Sequence, residues 1–454
     1  MSAASPSRLD RLVFAAGLAV WVVNAVILLC SGYLLGHDEA QYALAAKDLL
    51  AGSAPRWFYL SYGMNAIAAP GMLAGGSETA LRLVPFVLGI GFVLAVWQLA
   101  RRTVGGASAA WVVAVLASSR MYPRLSVELL SDMPAAACLI AATAVIVGEL
   151  DRDAGPRWRL VVVAPLMAAA FYLRYGSCIP IAIIAAVAVV LGWRTLARRP
   201  VPVIATGVMF VALLLPHAIM ALRTIGSPFG ILLETRSAAP HRALLDGLIT
   251  YLTSDPIKRY GIPAPVVLIA GVLGVRRDRR IGLLWLCGIL DVIALGVTTE
   301  AQTRYILFGT ALLVIVWTDR IRGWIAARPP RLRVALGCVA LITLAIASVL
   351  VTLGSLRQAA ARAASNRGTL AAARAIRADP HGARCHVIAG PFTQVEWYSG
   401  CSSAWMSLPD VLARAEPVYV VDPTDAELAQ LPGQRRPVLD LPGVAHVIRL
   451  DPQP

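Results

Sequence analysis

The chain has 454 residues, of which 58% are hydrophobic and 15% are charged. Because soluble domains carry about 25% charged residues, this composition excludes a soluble globular protein. The net charge of +15 is distributed over short loops and forms no continuous patch with interleaved aromatic residues, so the sequence indicates no nucleic-acid partner.

Apolar segments recur along the chain and predict transmembrane helices. A helix of about 20 apolar residues crosses the hydrocarbon core of a bilayer, and its backbone polar groups are satisfied within the segment. The first segment is longer than the apolar part of a cleavable signal peptide, so we take it as the first helix. We expect about eleven spanning helices, near 12–35, 78–100, 106–119, 128–148, 160–173, 178–193, 201–222, 261–275, 281–298, 305–318 and 334–354.

The arginines indicate the orientation of the chain. If the N-terminus is cytoplasmic and the helices alternate, every even-numbered connection is rich in arginine, and such loops belong on the cytoplasmic side. These connections include 101–102, 194–199, 276–280 and 320–333. We therefore predict a multi-pass protein of the cell inner (plasma) membrane with a cytoplasmic N-terminus and an extracytoplasmic C-terminal region.

The C-terminal region changes character and predicts a second domain. After a membrane domain over 1–355, residues 356–454 contain an amphipathic helix pattern, "GTLAAARAIRADP", and two short apolar strands, "CHVIAG" and "PVYVVD". These alternating signals indicate a small α/β domain. Cys385 and Cys401 lie in it, on the oxidising side of the membrane, where a disulfide forms readily; two unpaired buried cysteines are the alternative.

The first candidate site residues follow the first helix, in "GHDEAQYALAAKDLLAG". Asp38 and Glu39 begin a short amphipathic helix to about Leu50, whose apolar positions we expect on the bilayer surface. The alternative role for the acidic pair is to stabilise the N-terminus of that helix. The two long outside segments, 36–77 and 223–260, are expected to flank the site, since long ordered loops tend to carry function.

A second acidic pair lies in "LSVELLSDMPAAACLI". Glu128 and Asp132 are four residues apart, so they are predicted to share one face of the fourth helix near its outer end. Acidic residues just inside a membrane segment are costly and usually serve a site or a partner. The alternative is a helix-capping role, because Ser131-Asp132-Met133-Pro134 is typical of a helix N-terminus.

The third motif is "TTEAQTRYILF", in which Arg304 and Tyr305 begin the tenth helix from outside. A single arginine at an outer end opposes the usual charge bias, and binding of a phosphate would explain it. A salt bridge to Asp38 or Asp132 is the structural alternative. The other basic residues predicted on this side are Arg174, Arg223 and Lys258, and together they predict an anion pocket facing the acidic pair.

In their order and membrane depth, these motifs resemble the GT-C glycosyltransferases, polytopic enzymes that take sugars from polyprenyl-phosphate carriers. The nearest branch contains the lipid A aminoarabinose transferases and protein O-mannosyltransferases. Asp38-Glu39-Ala40-Gln41-Tyr42 is similar to the "DExxY" signature of that branch, Asp132 to its second acid, and Arg304-Tyr305 to its late "RY". The resemblance covers roughly residues 10 to 320 and implies an all-α polytopic GT-C-like fold with the small C-terminal α/β domain.

The chain departs from that family at two places. Many relatives have Lys-Pro-Pro or His-Pro-Pro in the first outside loop, where this chain has "PRWFYLSYGMNAIAAPG". Arg56 is a candidate replacement for the phosphate contact, and Tyr59 and Tyr62 are candidates to line the sugar pocket. The proline that usually follows the late "RY" is also absent, and Phe308-Gly309 stands there.

The resemblance implies transfer of a sugar from a polyprenyl-phosphate donor to an envelope acceptor (lipid, glycan or protein) on the extracytoplasmic face. Asp38 is the candidate general base, with Glu39 and Asp132 as the other candidate catalytic acids. Arg304, helped by Arg174 or Lys258, is expected to stabilise the leaving phosphate. The remaining candidate substrate contacts are Tyr42, Glu128 and Tyr305. The resemblance favours inversion, while a carboxylate close to the anomeric carbon would give retention.

No cofactor is expected. Asp38, Glu39 and Asp132 are chemically able to hold a divalent cation, but the resemblance implies that none is needed. The competing class is a polytopic transporter or lipid-linked-glycan flippase, which also uses intramembrane charges. A transporter typically shows internal repeats and broken helices near the midplane, and the sequence shows neither. A non-catalytic assembly subunit would not need acids and an arginine at one depth.

Overall fold

The computed structural model describes residues 7–53, 57, 60–150, 157–237, 246–253, 278–298, 302–380, 385–390, 392–403, 417–423, 435–442 and 444–451. The chain forms two compact units. The first comprises Met1–Leu29, Trp57–Ile67 and Arg82–Leu356, and the second comprises Cys30–Arg56, Ala68–Leu81 and Arg357–Pro454. The domain limits drawn from the sequence, 1–355 and 356–454, stay a prediction.

Helices make up most of the described chain. In chain order they are α1 (Arg8–Cys30), α2 (His37–Leu50), α3 (Tyr62–Leu73), α4 (Glu78–Thr103), α5 (Gly106–Ala117), α6 (Met121–Leu125), α7 (Asp132–Leu150), α8 (Val163–Leu173), α9 (Cys178–Ala197), α10 (Pro200–Ile225), α11 (Gly230–Ser237), α12 (Asp246–Thr253), α13 (Arg279–Thr298), α14 (Leu307–Ala326), α15 (Pro330–Ser365), α16 (Arg367–Ala378) and α17 (Phe392–Ser399). Short 3-10 turns cover Arg157–Val162, Tyr175–Ser177 and Thr303–Ile306.

The described helices confirm a polytopic membrane protein. Among the described residues, 7 helical segments are long and apolar enough to cross a membrane. They are Arg8–Cys30, Glu78–Thr103, Asp132–Leu150, Tyr175–Ala197, Pro200–Ile225, Arg279–Thr298 and Pro330–Ala378. Two shorter apolar segments, Gly106–Ala117 and Trp158–Leu173, also match predicted helices. The helix predicted at 261–275 lies outside the described residues.

Polar side chains connect the apolar helices of the first unit. The Asn24 amide on α1 donates to the Thr352 hydroxyl on α15 at 3.2 Å. The hydroxyls of Ser118 and Ser348 lie 3.1 Å apart. Because a polar group in hydrocarbon has no water to bond, such interhelical hydrogen bonds hold membrane helices together and fix their register.

The second unit contains a five-stranded sheet, in the spatial order β2-β1-β3-β5-β4. Its strands are β1 (His386–Ile388), β2 (Ser402–Ser403), β3 (Val418–Val421), β4 (Arg435–Leu441) and β5 (Ala445–Leu450). β1 is parallel to β2 and β3, whereas β5 is antiparallel to β3 and β4. The sheet and α16 confirm the small α/β region predicted from the sequence.

The core of this region surrounds a disulfide. Cys385 and Cys401 are bonded to each other, which is the first of the two alternatives drawn from the sequence. Buried apolar residues pack around the pair, including Ile376 of α16, Val395 of α17 and Val447 of β5. The bond therefore ties the beginning of β1 to the beginning of β2 inside a packed core.

The expected position of α2 is wrong. The sequence predicts its apolar residues on the bilayer surface, but Ala40, Ala43 and Leu44 are buried, and α17 of the same unit packs against the helix. Leu49 and Leu50, at the far end of the helix, are 47% and 45% exposed. The apolar face of α2 is covered by protein because a helix from the C-terminal region supplies a matching surface.

Candidate functional site

The first unit brings together one acid and two arginines that the sequence singled out. Asp132 is the first residue of α7 and is only 3% exposed. Its Oδ1 lies 2.8 Å from Arg174 Nη1, and its Oδ2 lies 3.8 Å from Arg304 Nε. One carboxylate thus faces two guanidinium groups. The three side chains carry a net charge of one positive unit, which makes the cluster receptive to an anion.

Local breaks in the helices place both arginines. Arg174 follows α8 with an extended backbone (φ −156°, ψ 111°), and the turn Tyr175–Ser177 then leads into α9. Arg304 lies in the turn Thr303–Ile306 that precedes α14, where its Nε donates to Gln302 Oε1 at 2.9 Å. Each side chain therefore projects from an interrupted region rather than from a continuous helix.

Tyr305 lies beneath both arginines. The guanidinium carbon of Arg174 is 4.4 Å from the centre of the Tyr305 ring, and that of Arg304 is 5.5 Å away. A cation over an aromatic face is held electrostatically. The ring thus keeps two like charges close to each other while Asp132 offsets one of them. The salt bridge between Arg304 and Asp132, left open as an alternative, is present.

A pocket opens beside this cluster within the first unit. Asp132, Arg174 and Tyr305 line it, together with Asp291 of α13 and apolar residues such as Phe308. About 300 Å³ of empty space, part of it open to solvent, lies between these atoms. Sequence reasoning missed Asp291. A single acid in "LLWLCGILDVIALGV" is itself a signal, since an ionisable residue within a membrane segment usually has a function.

The prediction that Glu128 and Asp132 share a helix face is wrong. α7 begins at Asp132, and Glu128 lies in the preceding loop. Pro134 has no backbone N–H and suits the first turn of a helix, in agreement with a helix that begins at Asp132. Glu128 Oε1 instead accepts a hydrogen bond from Arg124 Nε at 2.7 Å.

The acidic pair near the start of the chain lies in the second unit. Asp38 and Glu39 occupy the first turn of α2. Glu39 Oε2 accepts a hydrogen bond from the Gly36 N–H at 2.8 Å, so this carboxylate caps the helix, as the alternative interpretation holds. Asp38 is partly exposed, whereas Tyr42 is buried.

α17 holds the segment that leads into this helix. The Thr393 hydroxyl donates to the His37 carbonyl oxygen at 2.9 Å and lies 3.0 Å from His37 Nδ1. Because a hydroxyl has a single hydrogen, Nδ1 must donate to it, which fixes the tautomer of a neutral ring. Burial lowers the pKa of His37, partly offset by the Asp38 charge, which favours this neutral form.

Two further side chains of α17 contact Leu35. Gln394 donates its amide N–H to the Leu35 carbonyl oxygen. The Leu35 N–H donates to the Tyr398 hydroxyl at 2.9 Å, and that hydroxyl donates in turn to Glu78 Oε1 at 2.8 Å. Both backbone groups of Leu35 are therefore satisfied by α17, which fixes the chain immediately before the acidic helix.

The remaining candidate residues do not appear among the contacts described above for Asp132 or for the start of α2. Arg56, Tyr59 and Lys258 lie outside the described residues. Tyr62 is the first residue of α3, in the first unit, and Arg223 lies in the last turn of α10. In the described part of the chain, no group of three or more His, Cys, Asp or Glu side chains is placed to hold a metal. The expectation that no cofactor is needed stays a prediction.

Solved structures settle the fold. ArnT from Cupriavidus metallidurans, in a crystal structure with undecaprenyl phosphate bound, is similar with a TM-score of 0.72 and 15% identity over 97% of this chain and 99% of that chain. The chain has the GT-C fold. The GT-C fold implied by the sequence motifs is thereby confirmed.

Other comparisons agree with the GT-C fold. The family model for dolichyl-phosphate-mannose-protein mannosyltransferase matches residues 61–220. The Archaeoglobus fulgidus oligosaccharyltransferase with zinc and sulfate gives a TM-score of 0.58 and 15% identity over 85% of this chain and 62% of that chain. The oligosaccharyltransferase AglB from Archaeoglobus fulgidus, with an inhibitory peptide and a dolichol-phosphate, gives a TM-score of 0.52 and 14% identity over 85% of this chain and 64% of that chain. No curated protein sequence matches the chain.

Proposed function

We propose that this GT-C protein is a glycosyltransferase (hexosyl or pentosyl) that moves a sugar from a polyprenyl-phosphate donor to an envelope acceptor, which is a lipid, a glycan or a protein. The family model that matches 61–220 describes mannose transfer from dolichyl phosphate. Two structures with the same fold are described with a polyprenyl phosphate, undecaprenyl phosphate in ArnT and dolichol-phosphate in AglB. These likenesses support a lipid-linked donor.

The observation that carries the proposal is the pair of arginines that flank Asp132. A polyprenyl-phosphate sugar is a phosphodiester with one negative charge. When the bond between the anomeric carbon and the phosphate oxygen breaks, the leaving phosphate gains a second negative charge. Arg174 and Arg304, only 19% and 22% exposed at their side chains, stabilise that added charge more strongly in a partly desolvated site than they would in water.

The proposed chemistry is a single displacement. Asp38 accepts the proton of the acceptor hydroxyl, the acceptor oxygen bonds to the anomeric carbon, and the polyprenyl phosphate leaves with the bonding electrons. Such a step inverts the anomeric centre and forms no covalent enzyme intermediate. The Glu39 carboxylate accepts the Gly36 N–H, and Asp38 is the acid that the sequence resemblance gives as the general base.

Arg304→Ala tests the phosphate contact. Loss of a hydrogen bond to a charged group costs about 1.5–3 kcal/mol, so undecaprenyl phosphate should bind about 10- to 150-fold more weakly. Arg304→Lys should restore part of the affinity, since it keeps the charge but not the bidentate geometry. The measurement is the affinity of the detergent-purified protein for undecaprenyl phosphate.

The matched control is Arg331→Ala, which removes an exposed arginine at the beginning of α15. It should bind the lipid as the parent does. Equal affinity of the parent and Arg304→Ala would contradict the proposed phosphate contact. A parent protein that moves the sugar-linked lipid between leaflets of a liposome but transfers no sugar would favour the flippase instead.

We also propose that the reaction occurs on the extracytoplasmic face, with the N-terminus in the cytoplasm. The arginine-rich connections support this orientation. An alkaline phosphatase, which is active only outside the cytoplasm, should be active when fused after Pro454 and inactive when fused after Arg199. The reverse pattern, with a cytoplasmic reporter active after Pro454, would refute this orientation.

A further inference from the structure

Asp291 is a buried acid that the proposed chemistry does not use. It lies on α13, within a candidate membrane span, and is 1% exposed. An ionisable side chain at such a position is costly unless the surrounding protein compensates it. Only one of the two carboxylate oxygens of Asp291 has a hydrogen-bond donor among the described residues, and the side chain lines a pocket.

One carboxylate oxygen of Asp291 is satisfied by the neighbouring helix. Asp291 Oδ2 accepts the Gly309 N–H at 3.0 Å. Gly309 lies in the first turn of α14, where backbone N–H groups have no partner within the helix. The negative charge also suits the positive end of the helix dipole. This oxygen therefore has a structural role as a cap supplied by another helix.

The sequence around Gly309 is adapted to this contact. A Cβ atom at residue 309 would lie 2.8 Å from Asp291 Oδ2 and 2.8 Å from the Gly288 carbonyl oxygen. Only glycine allows this approach, and a proline at 309 would remove the N–H.

The other oxygen has no such partner. Asp291 Oδ1 is buried and has no hydrogen-bond partner among the described residues. Leaving a buried acceptor unsatisfied costs about 1–3 kcal/mol, more when the group is charged. Asp291 lines the same pocket as Asp132, Arg174 and Tyr305. The pocket thus contains an acceptor that lacks a donor, close to the arginines proposed to hold the phosphate.

The chemistry of the pocket indicates what supplies the donor. In its ionised form Asp291 only accepts hydrogen bonds, so its pocket-facing oxygen pairs with an O–H or N–H group rather than with a phosphate oxygen. The rest of the wall is mostly apolar, including Ala135, Ala136 and Phe308, which suits the C–H faces of a sugar ring. A group bonded to the donor phosphate and rich in hydroxyls meets both requirements.

We propose that Asp291 binds the donor sugar, with its Oδ1 accepting a hydrogen bond from a sugar hydroxyl while Arg174 and Arg304 hold the phosphate. This inference rests on the proposed function for its ligand. Asp291 is then a specificity-determining residue, because a sugar without that hydroxyl leaves the buried oxygen unsatisfied, and sites of this kind discriminate strongly against such analogues.

Binding measurements with Asp291→Asn test this inference without requiring turnover. The asparagine oxygen still accepts the Gly309 N–H, but the pocket then receives an amide N–H₂ group instead of an acceptor. The probes are undecaprenyl phosphate alone and undecaprenyl phosphate carrying mannose, glucose or arabinose. The parent should bind at least one sugar-loaded lipid more tightly than the free lipid. Asp291→Asn should weaken that lipid about 10- to 150-fold and change the free lipid less than about threefold.

The outcomes separate the possibilities. Equal weakening of loaded and free lipid, with a lower unfolding temperature, would show that Asp291 only caps α14. Unchanged binding of every probe would show that the pocket oxygen contacts only water. A parent that binds loaded and free lipid equally would also overturn the inference. If the binding results are as predicted but the parent transfers no sugar, the proposed function is refuted while the sugar-binding role of Asp291 is retained.

Two controls complete the experiment. Asp319→Asn, in the second half of α14, removes a carboxylate that accepts the Ser108 hydroxyl and should leave the binding of all probes unaffected. The second control uses mannose donors that each lack one hydroxyl. For one of these donors, the parent and Asp291→Asn should bind with equal affinity. That donor identifies the hydroxyl, whereas equal dependence of all of them on Asp291 would contradict a specific hydrogen bond.

Discussion

Asp38→Asn should lower the rate of sugar transfer by about 10²–10⁴-fold, the usual loss when a general base is removed. Asparagine keeps the shape of the side chain, and the hydrogen bond from Gly36 to Glu39 that caps α2 is unaffected, so the helix should persist. Affinity for undecaprenyl phosphate should be retained, since we assign that contact to Arg304. The measurement is transfer from a labelled donor, with binding determined in parallel.

Glu39→Gln is the informative companion. The glutamine oxygen still accepts the Gly36 N–H, so the capping contact survives while the second carboxylate is removed. If Glu39 is mainly a cap, this variant should lose far less activity than Asp38→Asn. Transfer at the parent's rate by Asp38→Asn would limit Asp38 to stabilising the helix and move the base to Asp132 or Glu39.

Asp132→Ala should have the largest effect on stability. It leaves two guanidinium groups together over Tyr305 without their counter-ion, and removing one partner of a buried ion pair costs about 3–5 kcal/mol. The unfolding temperature in detergent should fall. Undecaprenyl phosphate should restore part of the loss, because the cluster then carries two positive charges and binds an anion more strongly. Asp132→Ala should therefore bind undecaprenyl phosphate more tightly than the parent, whereas Arg304→Ala should bind it more weakly.

The double variant Asp132→Ala/Arg174→Ala provides the control. Removing the arginine closest to Asp132 relieves the repulsion, so the double variant should be more stable than the sum of the single changes implies. A stable Asp132→Asn with intact lipid binding and no transfer would contradict the counter-ion role and make Asp132 a catalytic acid.

The membrane helices were predictable because the length and apolarity of a spanning segment are local properties. The helix breaks that hold Arg174 and Arg304 also fall where the predicted helices end or begin. Glu128 was misplaced because a four-residue spacing indicates a shared face only when one helix spans both residues, and α7 begins at Asp132. Asp291 was missed because a single acid in an apolar helix belongs to no motif, and its contact with Gly309 depends on how two helices pack.

The position of α2 was not predictable for a related reason. Its apolar positions fit a bilayer and a protein surface equally well, and periodicity does not distinguish the two. The residues that settle the matter, Thr393 and Tyr398, are separated from it by most of the chain. Only the packing of the second unit shows that α17 supplies the hydrogen bonds to Leu35 and His37.

The bond between Thr393 and His37 joins residues 356 positions apart in sequence. At ribosomal rates of about 5–20 residues per second, the nascent chain contains the acidic segment for roughly 20 to 70 s before α17 has been made. During that interval Leu35 and His37 lack the partners that fix them in the finished protein. The hydrogen bonds that α17 makes to the segment bearing Asp38 therefore form only after the membrane helices between them have been made.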